Sequence, residues 1–230
     1  MSRPLSLTLA GFAALGAAVV GAFVHERLHP RTPVLPPVAV VAPRRAPGPA
    51  ETASADSPRI PEQRPVFALN DLDGKSHSIT DWDGKALLVN FWATWCAPCR
   101  REIPLLNKIR REYEANGVEV VGIAVDFADD VRTYASRVAI DYPVLVGEEE
   151  GLEAARAFGV ATVALPFTVF IDAHGRVLTV HLGELHEPDT RAILEVVRRV
   201  DAGALTPLEA RGAIGDALAA LPQRPAGPAL

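Results

Sequence analysis

The chain has 230 residues, of which 49% are hydrophobic and 22% charged, and its formal net charge is −5. This length and apolar fraction suffice for one globular domain with additional segments. The acidic balance and the lack of a Lys/Arg stripe with interleaved aromatics argue against a nucleic-acid partner, and two cysteines are too few for a disulfide scaffold.

The chain begins with an uncharged apolar run. Residues 4–24 contain no charged side chain, and about 20 apolar residues are enough for a helix to span a bilayer core. The alternative is a cleaved signal peptide, although the run exceeds the usual apolar span of about 7–15 residues. We expect residues 1–26 to form an uncleaved, single-pass membrane anchor.

Proline dominates the next segment. Residues 25–65 contain ten prolines, and a segment of this composition does not bury enough apolar surface to fold. We expect residues 27–61 to form a disordered linker that holds a domain away from the membrane. A proline-rich ligand for a recognition module is the alternative.

Strand and helix patterns alternate over residues 62–203. Dense apolar runs at residues 86–92 and 118–126 predict buried central strands. Spacing of three and four residues predicts a helix after Cys96 that ends at Gly117. Further strands are predicted at residues 65–71, 142–146, 167–172 and 176–182, and further helices at residues 129–139, 150–158 and 188–200. This order predicts an α/β fold with a central mixed sheet and helices on both faces.

The C-terminal segment, residues 204–230, combines a helix with a tail. Thr206 and Glu209 have the spacing of a capping box, which predicts the start of a helix. We expect this helix to pack on the domain, with docking of a partner as the alternative, and the proline-containing residues after it to be disordered.

Cys96 and Cys99, the only cysteines, enclose Ala97 and Pro98. A structural staple is a weak use of this pair, because closing a loop of about four residues removes only roughly 2 kcal/mol of chain entropy. A zinc site needs about four ligands. The nearby histidines, His174, His181 and His186, lack a helical ligand spacing, so we expect no metal.

The position of the pair favours a redox couple. It falls where a buried strand ends and a helix begins, so Cys96 would lie at a helix N-terminus, where unpaired N–H groups and the macrodipole favour a thiolate. Pro98 is tolerated in the first helical turn. We interpret Cys96 as the attacking nucleophile and Cys99 as the shielded resolving thiol of a redox-active disulfide.

Residues 89–104, VNFWATWCAPCRREIP, together with Leu165-Pro166 and the following FTVFID, resemble the membrane-tethered, thioredoxin-like TlpA/ResA group of disulfide reductases. The resemblance covers about residues 62–200. It implies a thioredoxin-like fold, a location in the bacterial inner membrane with the domain in the periplasm, and no cofactor. It also implies a cis proline facing the dithiol, and Pro166 occupies that place.

The resemblance also implies a role for Glu102. Thioredoxin carries a buried aspartate six residues before its first cysteine, where this chain has Asn90, which cannot take a proton. The TlpA/ResA pattern has a glutamate at the position of Glu102, on the same helix face as Cys99, where it would accept the proton of that thiol. The alternative is a surface carboxylate paired with Lys108 or Arg101.

These features predict a thiol-disulfide oxidoreductase that reduces disulfides in envelope proteins, in cytochrome c maturation or in assembly of an oxidase copper site. The expected partners are a disulfide-bonded envelope protein and a membrane-embedded electron donor, and the chain is expected to be a monomer. The residues expected along the substrate groove are Trp95, Ala97, Pro98 and Leu165. The link before Pro166 is about two residues longer than in the group, which reshapes the lip of this groove.

Two other functions are alternatives on the same fold. A peroxiredoxin-like peroxidase needs a threonine three residues and a proline seven residues before the reactive cysteine, where Ala93 and Val89 stand. A copper-binding, metallochaperone-type module would need a histidine or methionine facing the thiols, and Met1 is the only methionine.

Overall fold

The computed structural model describes residues 60–160 and 162–222. Within these ranges the strands are β1 (Ala68–Asp71), β2 (Ser76–Ser78), β3 (Ala86–Trp92), β4 (Val118–Ala124), β5 (Val144–Val146), β6 (Phe167–Ile171) and β7 (Val177–Leu182). The α-helices of the same ranges are α1 (Ala97–Tyr113), α2 (Ala128–Ala135), α3 (Glu149–Ala157), α4 (Glu187–Asp201) and α5 (Pro207–Ala219). Short 3-10 helices occupy Ile79–Trp82 and Glu114–Asn116.

The strands form one mixed sheet in the order β2-β1-β5-β4-β3-β6-β7. Strands β3, β4 and β5 are parallel, whereas β6 is antiparallel to β3 and β7 is antiparallel to β6. Because β3 and β4 are central, every residue of both strands is buried, which explains their dense apolar runs. The predicted mixed central sheet is confirmed.

Side chains of β3 alternate between two hydrophobic cores. Leu88 and Trp92 belong to the core that contains buried residues of α1, α2, α4 and α5. Leu87 and Phe91 belong to the other core, which contains buried residues next to and within α3. The alternation is the period of two that a pleated strand imposes. Helices therefore cover both faces of the sheet, as predicted.

Helix α5 begins with the predicted capping box and packs on the domain. The Thr206 hydroxyl accepts a hydrogen bond from the Glu209 N–H at 3.3 Å, and the Glu209 carboxylate accepts one from the Thr206 N–H at 2.8 Å. Ala210 and Ile214 of this helix are buried in the same core as α4.

Several segments differ from the sequence prediction, and among them β1 begins at Ala68 and not at residue 65, and β5 begins at Val144 and not at residue 142. Helix α2 ends at Ala135 and not at residue 139, because the Arg137 N–H bonds to the Tyr134 carbonyl three residues back, so the α-helical pattern of bonds four residues back is broken. The short strand β2 and the 3-10 helix after it were not predicted, because elements of three and four residues show no periodic pattern.

The predicted membrane span at residues 4–24, most of the proline-rich segment and the tail beyond residue 222 lie outside the described residues. In the part of the chain that the structure describes, none of the helices has the length and apolar character needed to cross a membrane.

Gly122, in the middle of β4, provides a test of the packing around Trp92. A Cβ at this position would lie 2.9 Å from Tyr142 Cε2 and 3.1 Å from Trp92 Nε1, and both rings are buried. We expect Gly122→Ala to lower the free energy of unfolding by about 1–3 kcal/mol, measured by chemical denaturation.

The matched control is Gly215→Ala on an exposed turn of α5, where an added Cβ meets nothing within 4 Å. This control is expected to leave stability unchanged or to raise it by up to about 1 kcal/mol, because alanine favours helix over glycine. A Gly122→Ala protein as stable as the wild type would contradict the packing described here.

Candidate active site

The dithiol lies between the C-terminal end of β3 and the start of α1. Cys96 is the N-cap of α1, and its Sγ accepts a hydrogen bond from the Cys99 N–H at 3.3 Å. The two residues form a disulfide, with their Cα atoms 5.3 Å apart. Cys96 is 5% exposed and Cys99 is fully buried. Cys96 is thus the sulfur nearer the surface.

The helix start determines what each sulfur can do when the pair is reduced. The first N–H groups of α1 have no partner within the helix, and the macrodipole is positive at this end. Both effects stabilise a thiolate at Cys96. Pro98 stands in the first turn of α1, where its missing N–H costs no intrahelical bond.

The segment before Cys96 is held by Asp126, which follows β4. The backbone N–H and the hydroxyl of Thr94 both donate to Asp126 Oδ2, at 2.8 and 2.6 Å. The Phe127 N–H donates to the other carboxylate oxygen at 2.9 Å. This buried carboxylate joins the ends of β3 and β4 and fixes the segment that carries Trp95. No sequence signal predicts this contact, because Thr94 and Asp126 are 32 residues apart and share no motif.

The peptide bond between Leu165 and Pro166 is cis, as the family resemblance implied. Phe167 pairs with Phe91, so Pro166 lies beside the end of β3, at the edge of the sheet where the dithiol is located. Pro166 is buried, and its carbonyl accepts a hydrogen bond from the Gly183 N–H at 2.9 Å. The start of β6 and the end of β7 are therefore joined next to the dithiol.

The residues predicted to line a groove differ in their exposure. Trp95 is 68% exposed and Ala97 is also exposed, whereas Pro98 and Leu165 are half-buried. Trp95 and Ala97 flank Cys96 directly in the chain. An approaching protein would meet these two side chains before the sulfur.

Glu102 is buried, with 1% of its surface exposed. Its Oε1 accepts a hydrogen bond from Asn90 Nδ2 at 2.8 Å, and its Oε2 accepts one from the Leu185 N–H at 2.7 Å. The alternative of a surface carboxylate paired with Arg101 or Lys108 is wrong. Those two cations instead pair with carboxylates of residues 184 and 187.

Burial raises the pKa of Glu102 from its ordinary value of 4.5 to about 7, because the charged carboxylate loses its solvation. The hydrogen bonds from Leu185 and Asn90 oppose this shift, and the negative charge of Glu184 adds to it. Glu102 and Cys99 are three residues apart on α1, on the same helix face. A buried carboxyl that titrates near neutral pH is thus located one helical turn from the buried thiol.

Asn90 and Thr168 complete the surroundings of Glu102. Asn90 Nδ2 also donates to Thr168 Oγ1 at 2.9 Å, and the two residues are register partners on β3 and β6. Both are buried. The sequence alone indicates that Asn90 cannot take a proton, but it carries no signal that points to Thr168 or Leu185. Thr168 is 78 residues from Asn90 and Leu185 is 83 residues from Glu102, so only the strand register and the course of the chain after β7 reveal these contacts.

Comparisons with known proteins point to one class. The Redoxin family profile matches residues 59–196. The thiol-disulfide oxidoreductase ResA of Geobacillus thermodenitrificans is 34% identical over 135 residues, which are 58% of this chain and 75% of that protein. ResA of Halalkalibacterium halodurans is 32% identical over 141 residues, 61% of this chain and 78% of that protein.

Solved structures agree with these relatives. A thiol:disulfide interchange protein of the thioredoxin family from Chlorobium tepidum is 33% identical, with a TM-score of 0.54, and the match covers 60% of this chain and 97% of that one. A secreted thiol-disulfide isomerase from Corynebacterium glutamicum is 26% identical, with a TM-score of 0.54, over 61% of this chain and 86% of that one. The fold is therefore thioredoxin-like.

The raised pKa of Glu102 predicts a specific dependence of stability on pH. Between about pH 4.5 and 7 the folded chain holds a proton that the unfolded chain has released, so stability present below pH 4.5 is lost as pH rises through 7. We expect Glu102→Gln to lack this dependence. From pH 4 to pH 8, the free energy of unfolding of the wild type should fall by about 3 kcal/mol more than that of Glu102→Gln.

This comparison uses chemical denaturation with the disulfide intact, so that no thiol titrates. Glu153→Gln, on the exposed face of α3, is the matched control and should follow the wild-type curve. Parallel curves for the wild type and Glu102→Gln would show that Glu102 does not carry the raised pKa.

Proposed function

The chain belongs to the Redoxin family and is a thiol-disulfide oxidoreductase of the ResA type, and from this premise we propose that it reduces disulfides in proteins of the bacterial cell envelope. The observation that carries the proposal is the buried carboxyl of Glu102, one helical turn from the resolving thiol of Cys99. When this carboxyl is ionised, it can accept the proton of the Cys99 thiol inside the protein near neutral pH.

The first step joins the enzyme to its substrate. The Cys96 thiolate at the N-terminus of α1 attacks one sulfur of the substrate disulfide. A Cys96–substrate disulfide forms, the substrate S–S bond breaks, and the other substrate sulfur leaves as a thiolate that takes a proton from solvent. Trp95 and Ala97 contact the substrate at this stage, because they are the exposed side chains next to Cys96.

The second step releases the reduced substrate. Glu102 accepts the Cys99 proton, and the Cys99 thiolate attacks Cys96 Sγ. The mixed disulfide breaks, the Cys96–Cys99 disulfide forms, and the remaining substrate sulfur leaves as a thiolate that is then protonated. The substrate gains two electrons and the enzyme loses two. Glu102 returns its proton when a dithiol donor reduces the enzyme again.

The residues between the cysteines support the reductive direction. A strongly oxidising couple needs a greatly stabilised thiolate on the nucleophile. Ala97 and Pro98 add neither a charge nor a side-chain donor, so only the helix terminus favours the thiolate. The Cys96–Cys99 couple is therefore moderately reducing, which agrees with the resemblance to the largely reductive TlpA/ResA group.

The N-terminal sequence supports a location at the membrane. The uncharged run at residues 4–24 would anchor the chain in the inner membrane, and the proline-rich linker would hold the domain in the periplasm. A reductase in an oxidising compartment needs electrons from across the membrane. The tether keeps this domain near a membrane-embedded donor. Cytochrome c maturation and assembly of an oxidase copper site are the processes proposed to supply the substrate.

The reduction potential of the Cys96–Cys99 pair tests the direction. We expect a value of about −250 mV or lower, close to the value of about −270 mV for thioredoxin, measured by equilibration in thiol buffers. Ala97→His is the matched variant and should shift the potential upward, because a histidine beside the nucleophile stabilises its thiolate. A wild-type potential near about −120 mV would make the protein an oxidant.

Trapping in cells tests the roles of the cysteines and the compartment. The full-length Cys99→Ser chain should accumulate mixed disulfides through Cys96 with envelope proteins that contain disulfides. Cys96→Ser, the matched control, should accumulate few, because Cys99 is buried. Adducts through Cys99 would reverse the two roles, and adducts with cytosolic proteins alone would exclude the proposed location.

A further inference from the structure

The side chains of Asn90, Glu102 and Thr168 form a buried polar group with one unpaired atom. Asn90 Nδ2 donates to both Glu102 Oε1 and Thr168 Oγ1, at 2.8 and 2.9 Å. The other end of the same amide, Asn90 Oδ1, is buried and has no hydrogen-bond partner among the described residues. An unpaired buried acceptor is costly, so its retention beside a titrating carboxyl calls for an explanation.

The observed orientation suits the charged form of Glu102, because both groups bonded to the carboxylate are donors. Leu185 N–H donates to Oε2 and Asn90 Nδ2 donates to Oε1, so each carboxylate oxygen accepts one hydrogen bond. When Glu102 gains a proton, one of its oxygens becomes a donor. That donor cannot face Leu185, whose backbone N–H has no acceptor to offer. A proton on Oε1 would instead meet the N–H of Asn90, which offers no acceptor either in this orientation.

A rotation of the Asn90 amide by half a turn removes this conflict. The rotation exchanges Oδ1 and Nδ2, which have nearly the same shape. Oδ1 then accepts from the O–H of Glu102. It also accepts from the Thr168 hydroxyl, which is able to donate as well as accept. The Asn90 amide keeps its hydrogen bonds to Glu102 and Thr168, but it now accepts both bonds instead of donating them. Nδ2 then occupies the position without a partner that Oδ1 held before.

We propose that the Asn90 amide reverses its orientation each time Glu102 gains or loses a proton, and that Asn90 is thereby a positioning residue that keeps Glu102 hydrogen-bonded in both states. The proposal rests on the proposed role of Glu102 as the proton acceptor of Cys99. It explains the presence of an asparagine at this position: a second carboxylate here would oppose ionisation of Glu102, whereas an amide serves both forms.

The other groups around Glu102 cannot serve this purpose. Glu184, on the segment after β7, is engaged by Arg101 through Oε1 and Oε2. Tyr142 is buried, but its hydroxyl has no hydrogen-bond partner among the described residues, so it is not bonded to Glu102. The Cys99 thiol is the proton donor of the reaction. Asn90 is thus the side chain in hydrogen-bond contact with Glu102 that can reverse its role.

The variant Glu102→Gln should fix the reversed state. The oxygen of the introduced amide must face Leu185, because two N–H groups cannot face each other. The nitrogen of the introduced amide would then face Asn90, which must present Oδ1 to it. This variant therefore imitates the protonated form of Glu102 at every pH.

Nuclear Overhauser effects (NOEs) in the oxidised, full-length protein measure the orientation directly. At pH values above the Glu102 titration, the Asn90 side-chain N–H₂ protons should show strong NOEs to the Thr168 side chain. Below the titration, which the Glu102 carboxyl carbon reports, these NOEs should lose most of their intensity. In Glu102→Gln they should be weak at all pH values.

The outcomes separate this proposal from the proposed function. Unchanged NOEs through the titration of Glu102, or strong NOEs in Glu102→Gln at high pH, would overturn the amide reversal. The wild-type titration gives this answer even where the variant does not fold. Turnover of a model disulfide substrate that is the same in folded Glu102→Gln as in the wild type would instead overturn the role of Glu102 in proton transfer, on which the reversal rests.

Discussion

A carboxylate that is buried without a cation must be surrounded by hydrogen-bond donors, and Glu102 imposes this requirement on the neighbourhood of the dithiol. One donor, Asn90, comes from the central strand β3. The other is the backbone of Leu185, in the segment after β7. Because Leu185 lies 83 residues from Glu102 in the chain, the surroundings of Glu102 are complete only once β3, β6 and β7 are paired.

The segment after β7 makes a separate contact with the active site through each of three consecutive residues. Gly183 donates its N–H to the carbonyl of the cis proline, Glu184 pairs with Arg101, and Leu185 donates its N–H to Glu102. Arg101 is exposed in this ion pair, so the pair contributes at most about 1 kcal/mol. The buried bond to a charged acceptor contributes more, roughly 1.5–3 kcal/mol. This segment thus joins the cis-proline side of the site to the helix that carries the dithiol.

A second buried glutamate, Glu119, shows by contrast why the pKa of Glu102 suits the proton transfer proposed for it. Burial acts to raise the pKa of Glu119, but the hydrogen bonds and charges of Arg110 and Lys85 outweigh it, and the pKa falls below its ordinary value. Glu119 therefore stays charged near neutral pH and ties β4 to its neighbours. Among the described residues, the hydrogen-bond donors to Glu102 are the neutral groups of Asn90 and Leu185, so burial prevails and the pKa of Glu102 rises to about 7.

Much of the fold and the chemistry of the dithiol follow from the sequence alone. The apolar runs of β3 and β4 and the helical spacing after Cys96 are local signals, so they predict these elements and place the first cysteine at a helix start. The two cysteines and their spacing identify the redox chemistry. For the same reason the capping box of Thr206 and Glu209 was predictable, since its bonds span three residues.

The setting of Glu102 was decided only by the tertiary structure. The position of Glu102 on α1 indicates which side chains share its face of the helix, but not what packs against that face. The sequence was therefore compatible both with a buried acid and with a surface ion pair at this position. The donors that settle the question lie 12 residues away at Asn90 and 83 residues away at Leu185. The solvation of a charge depends on everything packed around it. For Glu102 that packing is set by the strand register and by the path of the segment after β7, which local sequence patterns do not encode.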